Sequence, residues 1–101
     1  MIVKAWNKEY KVHIIIGEYT NKNLAIQLVE DDTDQPFDII TVNLGKRLPY
    51  GYANIDINNC PWAIEFIEDN HLGEFTGIFG CSGFCDYPLF RFYEEVIKHD
   101  N

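Results

Sequence analysis

Cys81 and Cys85 stand four positions apart in TGIFGCSGFCDYP, Thr76 to Pro88, with Cys60 and His71 upstream. Three thiols and an imidazole make a conceivable Cys3His zinc set. Zinc favours close ligand pairs such as C-x2-C, however, and four tetrahedral ligands in all. The x3 spacing is unusual, and there is no second paired motif. Three reduced cysteines acting as small apolar fillers are the simpler expectation. A nucleophilic thiol is the second chemistry to weigh. Gly80-Cys81-Ser82-Gly83-Phe84 departs from the G-x-S-x-G elbow, because position 84 is Phe. A Cys–His pair formed by Cys81 or Cys85 with His71 would need a contact that the sequence does not place. The acids Glu30, Asp31, Asp32, Asp34 and Asp38 could ligate a hard cation, but no central glycine accompanies them and Pro36 intrudes. A solvated turn fits them better. No catalytic residue, metal or cofactor is therefore expected. Cys60, His71, Cys81 and Cys85 remain as the residues to watch.

Charge narrows the possible partners. The chain of 101 residues has a net charge of −8, and most of it lies in the second half, where Arg91 and Lys98 face nine acids. Phosphate backbones are bound by clustered Lys and Arg, and only Lys46-Arg47 is such a cluster. Direct nucleic-acid binding is thus disfavoured, as is attachment to an anionic membrane. No apolar run approaches the roughly 20 residues of a spanning helix. The start, MIVKAWNKEYKV, lacks the unbroken apolar region of a secretory signal. The expected address is the cytoplasm, which also suits three cysteines that cannot close into a full disulfide set.

These residues must be positioned by a core, and a hydrophobic content of 47%, with 15% aromatic, supplies one for a single domain over 1–101. Period-two alternation predicts strands at Ile2–Trp6, Glu9–Glu18, Leu24–Glu30 and Phe37–Leu44, joined as hairpins, with a short strand at Tyr52–Ile57. The pattern then changes. Trp62, Ala63, Phe66 and Ile67 fall on one helical face and Glu65, Glu68 and Asp69 on the other, which predicts a helix over about 60–72. Asn58 or Asn59 would cap it, Pro61 would occupy its first turn, and Gly73 would stop it. The glycine-rich stretch Thr76–Pro88 is read as a loop turned by its glycines and anchored over the sheet by Phe79, Phe84 and Tyr87. A strand over Leu89–Tyr93 and a helical turn over Glu94–His99 complete the chain. The expectation is an α+β domain, an antiparallel sheet of hairpins packed on one main helix. The other aromatics crowding the second half, among them Tyr50, Tyr52, Phe75, Phe90, Phe92 and Tyr93, would be core more readily than a ligand groove.

The segments NNCPWAIEFIEDNHLGEFTG and SGFCDYPLFRF, about a third of the chain, resemble a family of small bacterial proteins of unknown function carried on conjugative plasmids and mobile elements. The resemblance implies a bacterial accessory protein and brings no catalytic residues with it. The leading functional expectation is a non-enzymatic protein that binds another protein, with Glu65, Glu68 and Asp69 as a candidate acidic interaction face. One alternative is an anti-defence protein whose carboxylates imitate DNA phosphates. Another is a metal-dependent Cys/His module.

Overall fold

The computed structural model describes residues 1–98. Eight strands form two four-stranded antiparallel sheets. The first sheet has the order β1 (Ile2–Ala5), β2 (Lys8–Glu18), β3 (Leu24–Glu30), β4 (Pro36–Ile39). The second runs β5 (Thr41–Val42), β6 (Tyr52–Ile55), β8 (Cys85–Phe92), β7 (Gly73–Ser82). Two short helices accompany them, α1 (Ala63–Asp69) and α2 (Glu94–Ile97). The expected α+β domain with one main helix is thereby corrected, since 51% of the described residues lie in strands.

The alternation in β2 and β3 makes the first sheet. Val12, Ile14 and Ile16 share a face with Leu28 and Ile26 across the pairing, and Val12, Ile26 and Leu28 are fully buried. The β1–β2 turn holds Trp6 and Asn7 both at positive φ, the backbone of a type I′ hairpin. A Trp there is sterically strained. Its ring rests among Tyr10, Phe37 and Trp62 with centroids about 6 Å apart, which holds the turn in place.

The expected strand Phe37–Leu44 is divided. β4 pairs with β3, whereas β5 pairs with β6 in the other sheet. Ile40, fully buried, is the corner. Its N–H donates to Ile26 O at 3.1 Å and its carbonyl accepts from Asp56 N at 2.8 Å, so one residue bonds to both sheets. Strands that switch sheets at a bend are the usual way of building such corners.

α1 is shorter than the predicted 60–72. Pro61 precedes it, Trp62 is its N-cap without a side-chain cap bond, and Asn59 is engaged with Asp56 instead. His71, at φ 53, takes the left-handed position after the helix that was expected of Gly73. Gly73 opens β7, where a Cβ would meet Arg91 O at 2.6 Å. The buried face of α1 is as predicted: Trp62, Ala63, Phe66 and Ile67 join one core cluster with Ile55, Phe90 and Phe92. His99, in the last predicted turn, lies outside the described residues.

Candidate functional site

The stretch Thr76–Pro88 is a β-hairpin, which corrects the loop reading. Ser82 pairs with Cys85 across the two-residue turn Gly83-Phe84. Gly83 has φ 62, as the first central position of a type II′ turn requires. Nearer its start, β7 carries a wide bulge. Phe75 faces Phe90 and Phe79 faces Pro88, leaving Thr76, Gly77 and Ile78 opposite Leu89 alone. Thr76 Oγ1 donates to Leu89 O at 2.8 Å and accepts from Ile78 N at 3.2 Å, which pins the bulge.

This geometry disperses the candidate ligands. Cys81 pairs with Asp86 and Cys85 with Ser82, so the two thiols project to opposite faces of the hairpin. Cys60 is buried far along the chain, its thiol donating to Ile39 O at 3.6 Å. His71 is exposed beyond α1. Among the described residues no three of His, Cys, Asp and Glu gather into a cation cage. The thiols of Cys60 and Cys81 are both pushed the wrong way for a nucleophile. Burial, aided by Asp38, raises Cys60 to about 12, and the hydrogen bond of Cys81 to Asp86 Oδ1 at 2.9 Å raises it from the ordinary thiol value. The acidic turn is exposed and satisfied locally, with Asp31 on His13 at 2.8 Å and Glu30 accepting from Thr33. Glu65, Glu68 and Asp69 are all exposed on α1.

Of the three aromatics expected to anchor a loop, Tyr87 is half-buried, but Phe79 and Phe84 point instead to solvent. Phe79 is 52% exposed and Phe84 is fully exposed; Phe75 at 43% and Ile78 at 59% complete the set. Phe75 stacks on both Phe79 and buried Phe90, so the patch continues the core face of the sheet outward past its last strand. β7 is that last strand. Edge strands are ordinarily blunted by lysine, proline, a bulge or a covering element, and the bulge of β7 is confined to Thr76–Ile78, leaving Phe79–Ser82 in regular pairing with β8. β7 has no lysine or proline, and its one charge, Glu74, is bridged to Arg91. Sequence reasoning missed this edge, although Gly-Phe between alternating flanks was a readable hairpin signal.

Beside this edge, and sharing Ile78 and Phe79 with it, lies a cleft of about 370 Å³ between β7 and the connection from β5 to β6. Leu44, Leu48, Ile78 and Leu89 supply apolar walls, Asn54 lines it deep in the sheet, and Lys46 is its single charged side chain. Two four-stranded antiparallel sheets define the class, an antiparallel β protein with an exposed apolar edge and a cleft beside it. The chain belongs to the family described as Domain of unknown function (DUF4313), whose model matches residues 14–100. No curated protein and no solved structure matches it.

Proposed function

We propose that the protein acts by binding another protein through the β7 edge, without chemistry of its own, as an accessory component of the bacterial cytoplasm encoded on a mobile element. The single observation that carries the binding reading is the cluster of exposed Phe75, Ile78, Phe79 and Phe84 on an edge strand that no lysine, proline or further strand covers. An apolar patch of this kind marks an interaction surface. A strand edge with free backbone groups takes an extended segment by strand addition, with side-chain contacts giving selectivity. The resemblance of residues 58–92 to proteins of mobile elements supplies the cellular setting.

The test begins by capturing partners from bacterial lysate with the native protein and with the Phe79→Asp/Phe84→Asp variant. Both positions are exposed, so the variant should keep its fold. The captured complex is then followed by hydrogen exchange. The expected result is loss of the partner with the variant and slowed exchange along β7 in the native complex. Retention of the partner by the variant, with protection on α1 around Glu65, Glu68 and Asp69, would move the contact to the acidic face and favour the DNA-mimic alternative.

A further inference from the structure

We propose that the cleft beside the hairpin is a binding site for a small amphipathic carboxylate, an aliphatic or aromatic acid with its apolar part among Leu44, Leu48, Ile78 and Leu89 and its carboxylate toward Lys46. This site adjoins the edge surface and shares Ile78 and Phe79 with it, but it takes a small molecule rather than a strand, and Lys46, Leu48 and Asn54, which lie outside the edge, distinguish the two.

Three observations converge on it. The first is charge. The chain has 16 acids and a net charge of −8, yet no Asp or Glu lines the cleft, and Lys46 is its one cation. Lys46 makes no ion pair among the described residues. A hollow lined by no acid, with an unpaired ammonium and with the neighbouring Asp86 carboxylate engaged by Cys81 Sγ at 2.9 Å, is complementary to an anion.

The second is a buried donor. Asn54 is 4% exposed, and its Nδ2 donates one hydrogen to Tyr87 O at 3.1 Å. A carboxamide nitrogen carries two hydrogens. The second has no acceptor among the described residues, and Asn54 lines the cleft. Lys46 and Asn54 thus both offer hydrogens, and the walls offer apolar area. Ligand sites are commonly built so, as apolar hollows of about 300–1,000 Å³ with a few placed polar groups.

The third is preorganisation. The wall carrying Lys46 and Leu48 does not hang free. Buried Asn23 donates from Nδ2 to Lys46 O at 2.8 Å and accepts at Oδ1 from Leu48 N at 2.8 Å, bracketing the loop on both sides. Asn43 Oδ1 accepts from Asn23, Asn21 and Gly45 N, tying the start of the loop to the β2–β3 turn. On the floor, a Cβ at Gly80 would lie 2.7 Å from Leu44 Cδ1 and 2.8 Å from Asn54 Nδ2, so the absence of a side chain there lets both settle against β7. A cleft whose walls are already fixed loses little ordering entropy when filled.

The probe is sodium octanoate, titrated below the concentration at which it self-associates and followed by amide and methyl NMR shifts. Octylamine serves as the charge-reversed control. Octanoate should give saturable shifts at Leu44, Lys46, Leu48, Asn54 and Leu89, and octylamine should not. Lys46→Gln should weaken octanoate about tenfold, the scale of one charge-assisted contact. Ile78→Glu, at an exposed rim position, should weaken it at least as much while leaving the dispersed spectrum of a folded protein. Phe84→Asp, at the hairpin tip, should leave octanoate binding unchanged even where it abolishes partner capture. The proposal is overturned by equal binding of octylamine, by unchanged affinity in Lys46→Gln, by shifts centred on Phe75 and Phe84, or by no saturable shift.

Discussion

At the scale of single residues, the thiols and glycines of the hairpin have exchanged the importance that their chemistry suggests. Cys81 is exposed and Cys85 half-buried, and neither carries the turn. Gly83 does, at φ 62, where a β-branched side chain is strained. Cys81→Ser should shift stability by no more than about 0.5 kcal/mol, as surface changes do. Gly83→Val should cost about 1–3 kcal/mol, the range for a residue forced into a sparse backbone region. Thermal melts of the two variants side by side check this, and an inverted order would return the hairpin to a ligand-bound reading. The Cys81–Asp86 contact makes a second prediction. The carboxylate accepts a hydrogen bond from the thiol and opposes a thiolate, so Asp86→Asn should lower the thiol pKa and speed iodoacetamide alkylation of Cys81 at pH 8. Equal rates in the two proteins would show that the contact is not maintained in solution. Cys60 adds an alkaline limit. Its folded value of about 12 lies above the ordinary 9.0, so the stability linked to its proton is intact below pH 9 and is lost as pH rises through about 12. Urea midpoints at pH 8 and pH 10 should therefore diverge less in Cys60→Ala than in the native protein.

At the scale of elements, α1 shows what a periodic pattern reveals and what it leaves out. Trp62, Phe66 and Ile67 face the core as their spacing required, and Phe66→Ala should cost about 3–5 kcal/mol through lost burial and a cavity. A loss below about 1 kcal/mol in chemical denaturation would contradict that packing. The ends of the helix were misjudged because Asn59 bonds Asp56 rather than capping, and because His71 accepts the left-handed backbone expected of glycine. β3 could be read to its last residue, Leu24–Glu30, because strict alternation borders a turn on each side. β7 could not. Its alternation is broken by a bulge at Thr76–Ile78, and the glycines that allow the bulge, the close approach of Leu44 and the turn resemble loop composition when read along the chain. The 43–48 connection is similar: its order comes from Asn21, Asn23 and Asn43, whose mutual bonds span 20 or more positions.

At the scale of the whole molecule, the charge makes the clearest prediction. With a net charge of −8 and a single Lys-Arg pair, the protein should show no retention of random duplex DNA at physiological salt. Fluorescence anisotropy with a labelled duplex checks this, and a micromolar, salt-sensitive rise would contradict it. Among the described residues no helix is long and apolar enough to cross a membrane. The same charge distribution distinguishes the three candidate surfaces. The exposed carboxylates of α1 lie on one element, the apolar edge of β7 on another, and the cleft with Lys46 is lined by no acid.

What the sequence by itself determined is local: which residues alternate, which face of α1 is apolar, where most strands begin, and how acidic the chain is. Those properties depend on neighbours within a few positions and survive any arrangement of the elements. The tertiary structure alone decided that Phe37–Val42 is shared between two sheets, because Ile40 bonds both Ile26 and Asp56, partners 14 and 16 positions away. It alone decided that Phe75, Ile78, Phe79 and Phe84 are surface rather than core. An aromatic residue has the same hydrophobicity on an inner strand as on an edge, and strand order, set by the pairing of β8 with β6 on one side and β7 on the other, decides which it becomes. The cleft likewise exists only because residues 44–48, 54, 78–81 and 89 meet across the sheet, and no stretch of chain contains it.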